Sequence, residues 1–299
     1  MDFFDLKIPG KDSESDNQFS IQSTHEQVTD RPHLFSIESF LEECVKRINE
    51  CELVRFGYSS YISAYDISHD CIRKTLYRLL GYPLPDFRYL WPGLQLRGTI
   101  GSAIHEFIQS HYSFTETEVE LFVPSLNVSV RLDALIGNNV LVEIKSLPFK
   151  DLETIVRSNT PRKHDLLQTV LYKHLLESHL DEIKKATDRR IPKQSRYCIE
   201  YIQFIYVAHD IVASDLTLSE ALQETKRVRR FLRSKGLDFI FVVTVDGNNV
   251  QEEMNYVVKK LSRINEYHRK RVLPDLSDEF VDRKQCGFCP YRDLCIGRG

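Results

Sequence analysis

The segment VLVEIKSL (140–147) holds Glu143 and Lys145 two residues apart inside an apolar run. Val140, Leu141, Val142 and Ile144 give it the character of a buried strand, and a period of two puts Glu143 and Lys145 on one face. Neither charge is cheap to bury without a partner, so that face needs a reason for both. Upstream, VSVRLDALI (128–136) reads as a second strand, joined to the first by Gly137, Asn138 and Asn139. A three-residue hairpin loop there pairs residue 136 with residue 140, and counting back sets Asp133 opposite Glu143, with Cβ atoms about 5 Å apart. Two carboxylates that close repel unless a cation lies between them, and hard oxygen ligands suit Mg²⁺ or Mn²⁺. A lysine beside such an ion can hold an attacking water or stabilise charge that grows on a phosphate. Taken alone, the E-x-K triplet is more often a solvated strand face whose charges pair weakly.

Two helical patterns add to it. Gly101 and His105 in GTIGSAIHE lie one turn apart, so the small residue leaves room beside the imidazole for another chain segment or a metal. Gln168 and Tyr172 in QTVLYK share one stripe of a helix and put an amide and a phenol where they could grip a nucleotide strand. A helical histidine is commonly a packed residue, and Tyr172 could equally be core.

The C-terminal QCGFCPYRDLC carries Cys286, Cys289 and Cys295 beside Gly287 and Pro290. A C-x2-C turn lets two thiolates face one metal centre. A fourth ligand would come from Cys44, Cys51, Cys71 or Cys198; Cys71 is the best placed, at the start of a basic and aromatic helix rather than in an apolar stripe. Zinc and a [4Fe-4S] cluster fit four thiolates equally well, and free thiols are the third reading. Any such centre would tie residue 71 to the C-terminus, so metal loss should destabilise the domain.

The elements that must position these residues follow from periodicity. Residues 1–35 are polar and aperiodic and read as a disordered tail. Ser36 is a plausible cap for a helix over 37–53, followed by helices over 68–82, 98–112, 165–180, 218–235 and 250–270. Three short β-rich runs, 116–124, 127–136 and 139–146, form an antiparallel meander, and further strands are expected within 196–208 and 238–245. The result is an α/β or α+β fold around one sheet.

With 299 residues and 42% hydrophobic content the chain can bury a real core. The acidic start MDFFDLKIPG is unlike a presequence and no apolar stretch is long enough to span a membrane, so the expected location is intracellular, cytoplasmic or nuclear, with no membrane partner. A net charge of −3 gives no general support to a nucleic-acid partner, so any anion-binding surface must be local. Lys226, Arg227, Arg229, Arg230 and Arg233, and the DRRIPK stretch at 188–193, are candidates, although such runs are usually solvated helix faces. No P-loop motif is present.

Taken in order, these motifs resemble the RecB-like branch of the PD-(D/E)XK nucleases, in particular its iron-sulfur members: CRISPR-associated RecB-like exonucleases, exonuclease V and the nuclease domain of AddB. The matching residues are Cys71, Gly101 with His105, Asp133, Glu143 with Lys145, Gln168 with Tyr172, and Cys286, Cys289 and Cys295. Leu132 stands where the motif has proline. The resemblance implies a restriction-endonuclease-like mixed sheet flanked by helices, a single domain over 36–299, and a cluster lobe built from about 63–95 and 275–299. It further implies that His105, Asp133, Glu143 and the Ile144 carbonyl hold the metal, that Lys145 is catalytic and that Gln168 and Tyr172 position substrate. Cys71, Cys286, Cys289 and Cys295 would hold a [4Fe-4S] cluster. The implied activity is metal-dependent exonucleolytic hydrolysis of DNA, on single strands or free ends, with a helicase or recombination partner. The rival from another class is a non-catalytic DNA-end-binding subunit, disfavoured because Asp133, Glu143 and Lys145 are all present. A zinc-stabilised interaction module is a third reading.

Overall fold

The computed structural model describes residues 60–68, 71–83, 92–187, 190–208, 240–276, 286 and 289–296, with backbone alone for 92–100 and 240. All belong to the unit Glu42–Gly299. The expected tail, the helices over 37–53 and 218–235, Cys44, Cys51 and the basic cluster from Lys226 to Arg233 lie outside the described residues.

Two short helices, α1 (Ala64–Ser68) and α2 (Ile72–Leu79), precede the long α3 (Pro92–His111). A meander follows, β1 (Glu116–Val123), β2 (Val128–Ile136) and β3 (Val140–Leu147), then three helices, α4 (Phe149–Ser158), α5 (Lys163–Ser178) and α6 (Leu180–Ala186). Strands β4 (Tyr201–Ala208) and β5 (Ile240–Asp246) complete the sheet, and α7 (Gln251–Lys270) and α8 (Arg292–Ile296) end the described chain.

The sheet is mixed, in the order β1-β2-β3-β4-β5, antiparallel throughout except for the parallel pair β3–β4. A parallel neighbour needs a crossover, and α4, α5 and α6 supply it. Helices on both faces explain why β3 reads as a nearly continuous apolar run. On one face Ile104 and Ile108 of α3 meet Ala134, Val140, Val142 and Ile144. On the other, a larger core joins Leu121, Leu132, Leu141 and Phe204 to Leu171 and Leu175 of α5 and to Val257 and Ile264 of α7. Buried α5 shows no polar face to match its apolar one, as expected for a helix packed between the sheet, α1 and α7.

The expected hairpin is present: Ile136 pairs with Val140, Leu135 with Leu141 and Ala134 with Val142. Gly137 turns the chain at φ 61°, in the left-handed region that glycine enters without strain. The loop is also docked from outside. Asn138 O accepts from Cys198 N at 2.9 Å, and Asn139 O accepts from Glu200 N at 2.8 Å and Tyr201 N at 3.1 Å.

Regular pairing lapses at one place. Thr117 pairs with Ala134 and Val119 with Leu132, but the intervening Glu118 and Asp133 carry no ladder pair, and Glu118 has φ 52°. The alternation changes phase there on both strands. Val119, Leu121 and Val123 face the larger core on one side of the lapse, as do Val128, Val130 and Leu132; beyond it the inward positions are Glu116 and Leu135. The kink lets Ala134 join the smaller core under α3 while its neighbour Leu135 stays in the larger one.

Candidate active site

The lapse in the sheet is where the sequence-predicted residues meet. Asp133 turns its carboxylate into the gap between β2 and β3, where Oδ2 accepts from Ile144 N at 2.7 Å. Its own carbonyl accepts from Gln109 Nε2 at 3.0 Å. Asp133 Oδ1 faces His105 Nδ1 at 3.5 Å, so a histidine from α3 reaches an aspartate of β2. Gly101 makes that approach possible. A Cβ there would come 3.1 Å from Ser146 Oγ, so the space beside the imidazole turn is taken by β3.

Glu143 and Lys145 share a face, as the period of two requires, and that face points toward α5. Lys145 Nζ sits 2.5 Å from Glu143 Oε1 and donates to Gln168 Oε1 at 3.1 Å, and Gln168 Nε2 donates to the Tyr172 hydroxyl at 2.5 Å. Four predicted site residues therefore form one chain of contacts. Glu143 is 1% exposed, and its second oxygen, Oε2, is buried without a hydrogen-bond partner. An unsatisfied acceptor of this kind costs about 1–3 kcal/mol, more when ionised.

The electrostatics follow from burial. Desolvation pushes the Glu143 carboxyl up to about 8; the Asp133 charge adds to this, and Lys145 offsets it only in part. Burial alone would lower Lys145, but Glu143, Asp133 and Asp165 together outweigh it, so the ammonium is held above its ordinary value. The Tyr172 phenol is pushed far up, first by burial and then by the Glu143 charge, and remains protonated.

Sequence reasoning missed three contributors. Glu118, kinked at the lapse, brings a carboxylate oxygen to His105 and Asp133, and the ligand atoms of these three lie within 4.8 Å of one another. Gln109, one turn beyond His105, donates to both Glu118 Oε1 at 2.8 Å and the Asp133 carbonyl. Asp165, 1% exposed, accepts from Arg162 Nε at 2.7 Å and from the Tyr206 hydroxyl at 3.0 Å, and Tyr206 is the register partner of Lys145 on β4. The available cue was an acid in the first turn of the helix, where the helix dipole favours a negative charge.

Four of the cysteines lie at the start of α2 and in the C-terminal segment around α8. Cys71 caps α2, its Sγ accepting from Lys74 N at 3.4 Å. Cys289 N closes a turn onto Cys286 O at 3.2 Å. Arg73 Nε donates to Cys295 Sγ at 3.2 Å, the Tyr77 hydroxyl donates to Leu294 O at 3.3 Å, and Tyr77 stacks on Tyr291 at 5.1 Å. Protein contacts thus join α2, which Cys71 caps, to the C-terminal segment. Cys71, Cys286, Cys289 and Cys295 are half-buried and in no disulfide, whereas Cys198 is exposed. Among the described residues no helix is long and apolar enough to cross a membrane.

No protein-family model matches this sequence, and no curated protein matches it. Among solved structures the chain is similar to SSO0001, at 16% sequence identity and a TM-score of 0.42, covering 88% of this chain and 98% of that one. It is also similar to an alkaline exonuclease, LHK-Exo, from Laribacter hongkongensis, at 11% identity and a TM-score of 0.39, over 71% of this chain and 93% of that one. A phage-related exonuclease from Haemophilus somnus 129PT is similar at 11% identity and a TM-score of 0.39, over 70% and 94% of the two chains.

Proposed function

We propose that the protein is a metal-dependent DNA exonuclease of the RecB-like PD-(D/E)XK type, acting on single strands or free ends. The observation that carries this reading is the orphaned Glu143 Oε2, across the hairpin from Asp133 and two residues from Lys145. A buried carboxylate beside a second acid is what a divalent cation satisfies. His105, Asp133 and Glu143, with the Ile144 carbonyl, would hold Mg²⁺ or Mn²⁺. When bound, the ion would polarise the scissile phosphate and lower the pKa of the attacking water.

The chain's own residues supply the rest. Lys145, kept charged by Glu143 and braced by Gln168, presents an ammonium to the phosphate or to the water that attacks it. Asp133 is held by Ile144 N, which fixes its carboxylate in the gap of the sheet. Tyr172, protonated, anchors the Gln168 amide so that Lys145 keeps one orientation. Cys71, Cys286, Cys289 and Cys295 would hold a [4Fe-4S] cluster, zinc being the alternative. Four half-buried thiols on two segments that Arg73 and Tyr77 already join suit that role.

The test uses 5′-labelled and 3′-labelled single-stranded DNA with Mn²⁺ or Mg²⁺. Wild type should shorten the strand from an end, and Lys145→Ala and Asp133→Ala should each lower the rate by about a hundredfold or more while keeping the native circular dichroism. Nuclease activity that survives both substitutions removes the site from consideration.

A further inference from the structure

We propose that Glu118 is a metal ligand in its own right, joining His105 and Asp133 around one divalent ion; this deepens, and rests on, the metal-dependent reading above. The three side chains come from three elements, α3, β1 and β2, and converge only because β1 kinks at Glu118. Glu118 opposes Asp133 across the strands at the position where the ladder lapses. Gln109 fixes the carboxylate from α3 by holding Glu118 Oε1 and the Asp133 carbonyl with one amide. An outer amide that orients an acid in this way is the arrangement expected around a metal ligand.

A second observation, from outside the group of three, bears on Asp133 from the neighbouring strand. Glu143 Oε2, on the strand that faces Asp133 across the hairpin, is buried and has no hydrogen-bond partner. Asp133 thus stands between two acids on neighbouring strands, one kinked toward it and one with an acceptor left open. The competing role for Glu118 is an ion pair, since Arg131 Nε lies 2.7 Å and Arg190 Nη1 3.8 Å from its Oε2. Both arginine side chains are more than half exposed, where such pairs contribute little. Each carboxylate oxygen accepts two bonds, so Gln109 and Arg131 leave acceptor capacity on both. One imidazole nitrogen among carboxylate oxygens favours Mn²⁺ over Mg²⁺.

The experiment titrates Mn²⁺ into the full chain and follows free Mn²⁺ by electron paramagnetic resonance, comparing wild type with Glu118→Gln, Glu118→Gly, Arg131→Gln and His105→Ala. Glycine adopts the backbone of residue 118 without strain, so Glu118→Gly should melt no lower than Glu118→Gln and serves if the glutamine variant misfolds. Loss of the carboxylate should weaken Mn²⁺ binding about tenfold or more, and Arg131→Gln should leave it unchanged or tighter. Affinity within about twofold of wild type in both Glu118 variants, with binding lost in His105→Ala, overturns this proposal alone. A fall in Arg131→Gln that equals the fall in Glu118→Gln also overturns it, by assigning Glu118 to the ion pair. Wild type that binds no Mn²⁺ overturns the metal-dependent reading together with it.

Discussion

Replacing Glu143 with glutamine should stabilise the metal-free protein relative to wild type, by an amount that grows with pH. A carboxyl held at about 8 in the folded state, against an ordinary 4.5, keeps its proton after the unfolded chain has released its own. Its contribution to stability is therefore intact below about 4.5 and is lost as pH rises through about 8. Each pKa unit is worth about 1.4 kcal/mol, so the loss approaches about 5 kcal/mol at high pH and is about 3 kcal/mol at neutrality. Glutamine does not titrate and mimics the protonated acid in size. Urea unfolding in the presence of a chelator should show the variant drawing ahead by about 1.4 kcal/mol per pH unit between about 5 and 8. Mn²⁺ should return most of the deficit to wild type and little to the variant. Parallel stability curves across that range would refute the assignment of Glu143 as a buried acid held ready for a cation.

Two further outcomes are expected. Gly101→Ala should lower the melting temperature in the wild-type background, because its Cβ meets Ser146 Oγ, but raise it in a Ser146→Ala background, where the helix preference for alanine is felt alone. A purified holoprotein should show the visible absorbance of an iron-sulfur cluster, and Cys289→Ser should abolish it together with several degrees of thermal stability; a colourless wild type that contains zinc would replace the cluster with its alternative.

The site's backbone was legible where short-range chemistry fixes it. The Gly137–Asn139 loop and the period of two on either side set the 136–140 register, which runs as far as Ala134 opposite Val142. The spacing of Gln168 and Tyr172 likewise survives as a direct hydrogen bond. Glu118 could not be read in this way. In ETEVELFV it alternates like any solvated strand acid, and nothing local asks a glutamate to adopt φ 52°. That conformation is imposed by α3 above it and by the change of phase shared with β2. The parallel pairing of β3 with β4 was equally hidden, since an apolar run does not state the direction of its neighbour. Helices α4 and α6, of ten and seven residues, carry too few turns to declare a period of their own. Helix α3 begins at Pro92, six residues before its expected start, with proline at a first-turn position that has no helical N–H bond to lose.

The docking of the hairpin loop has a consequence for how the sequence can vary. Asn138 and Asn139 engage the chain ahead of β4 through main-chain carbonyls, which every amino acid carries. Evolution is thus free to rewrite those two side chains yet bound to their count. One inserted residue that shifted the register would turn Glu143 and Lys145 away from α5 and present Val142 and Ile144 to it in their stead.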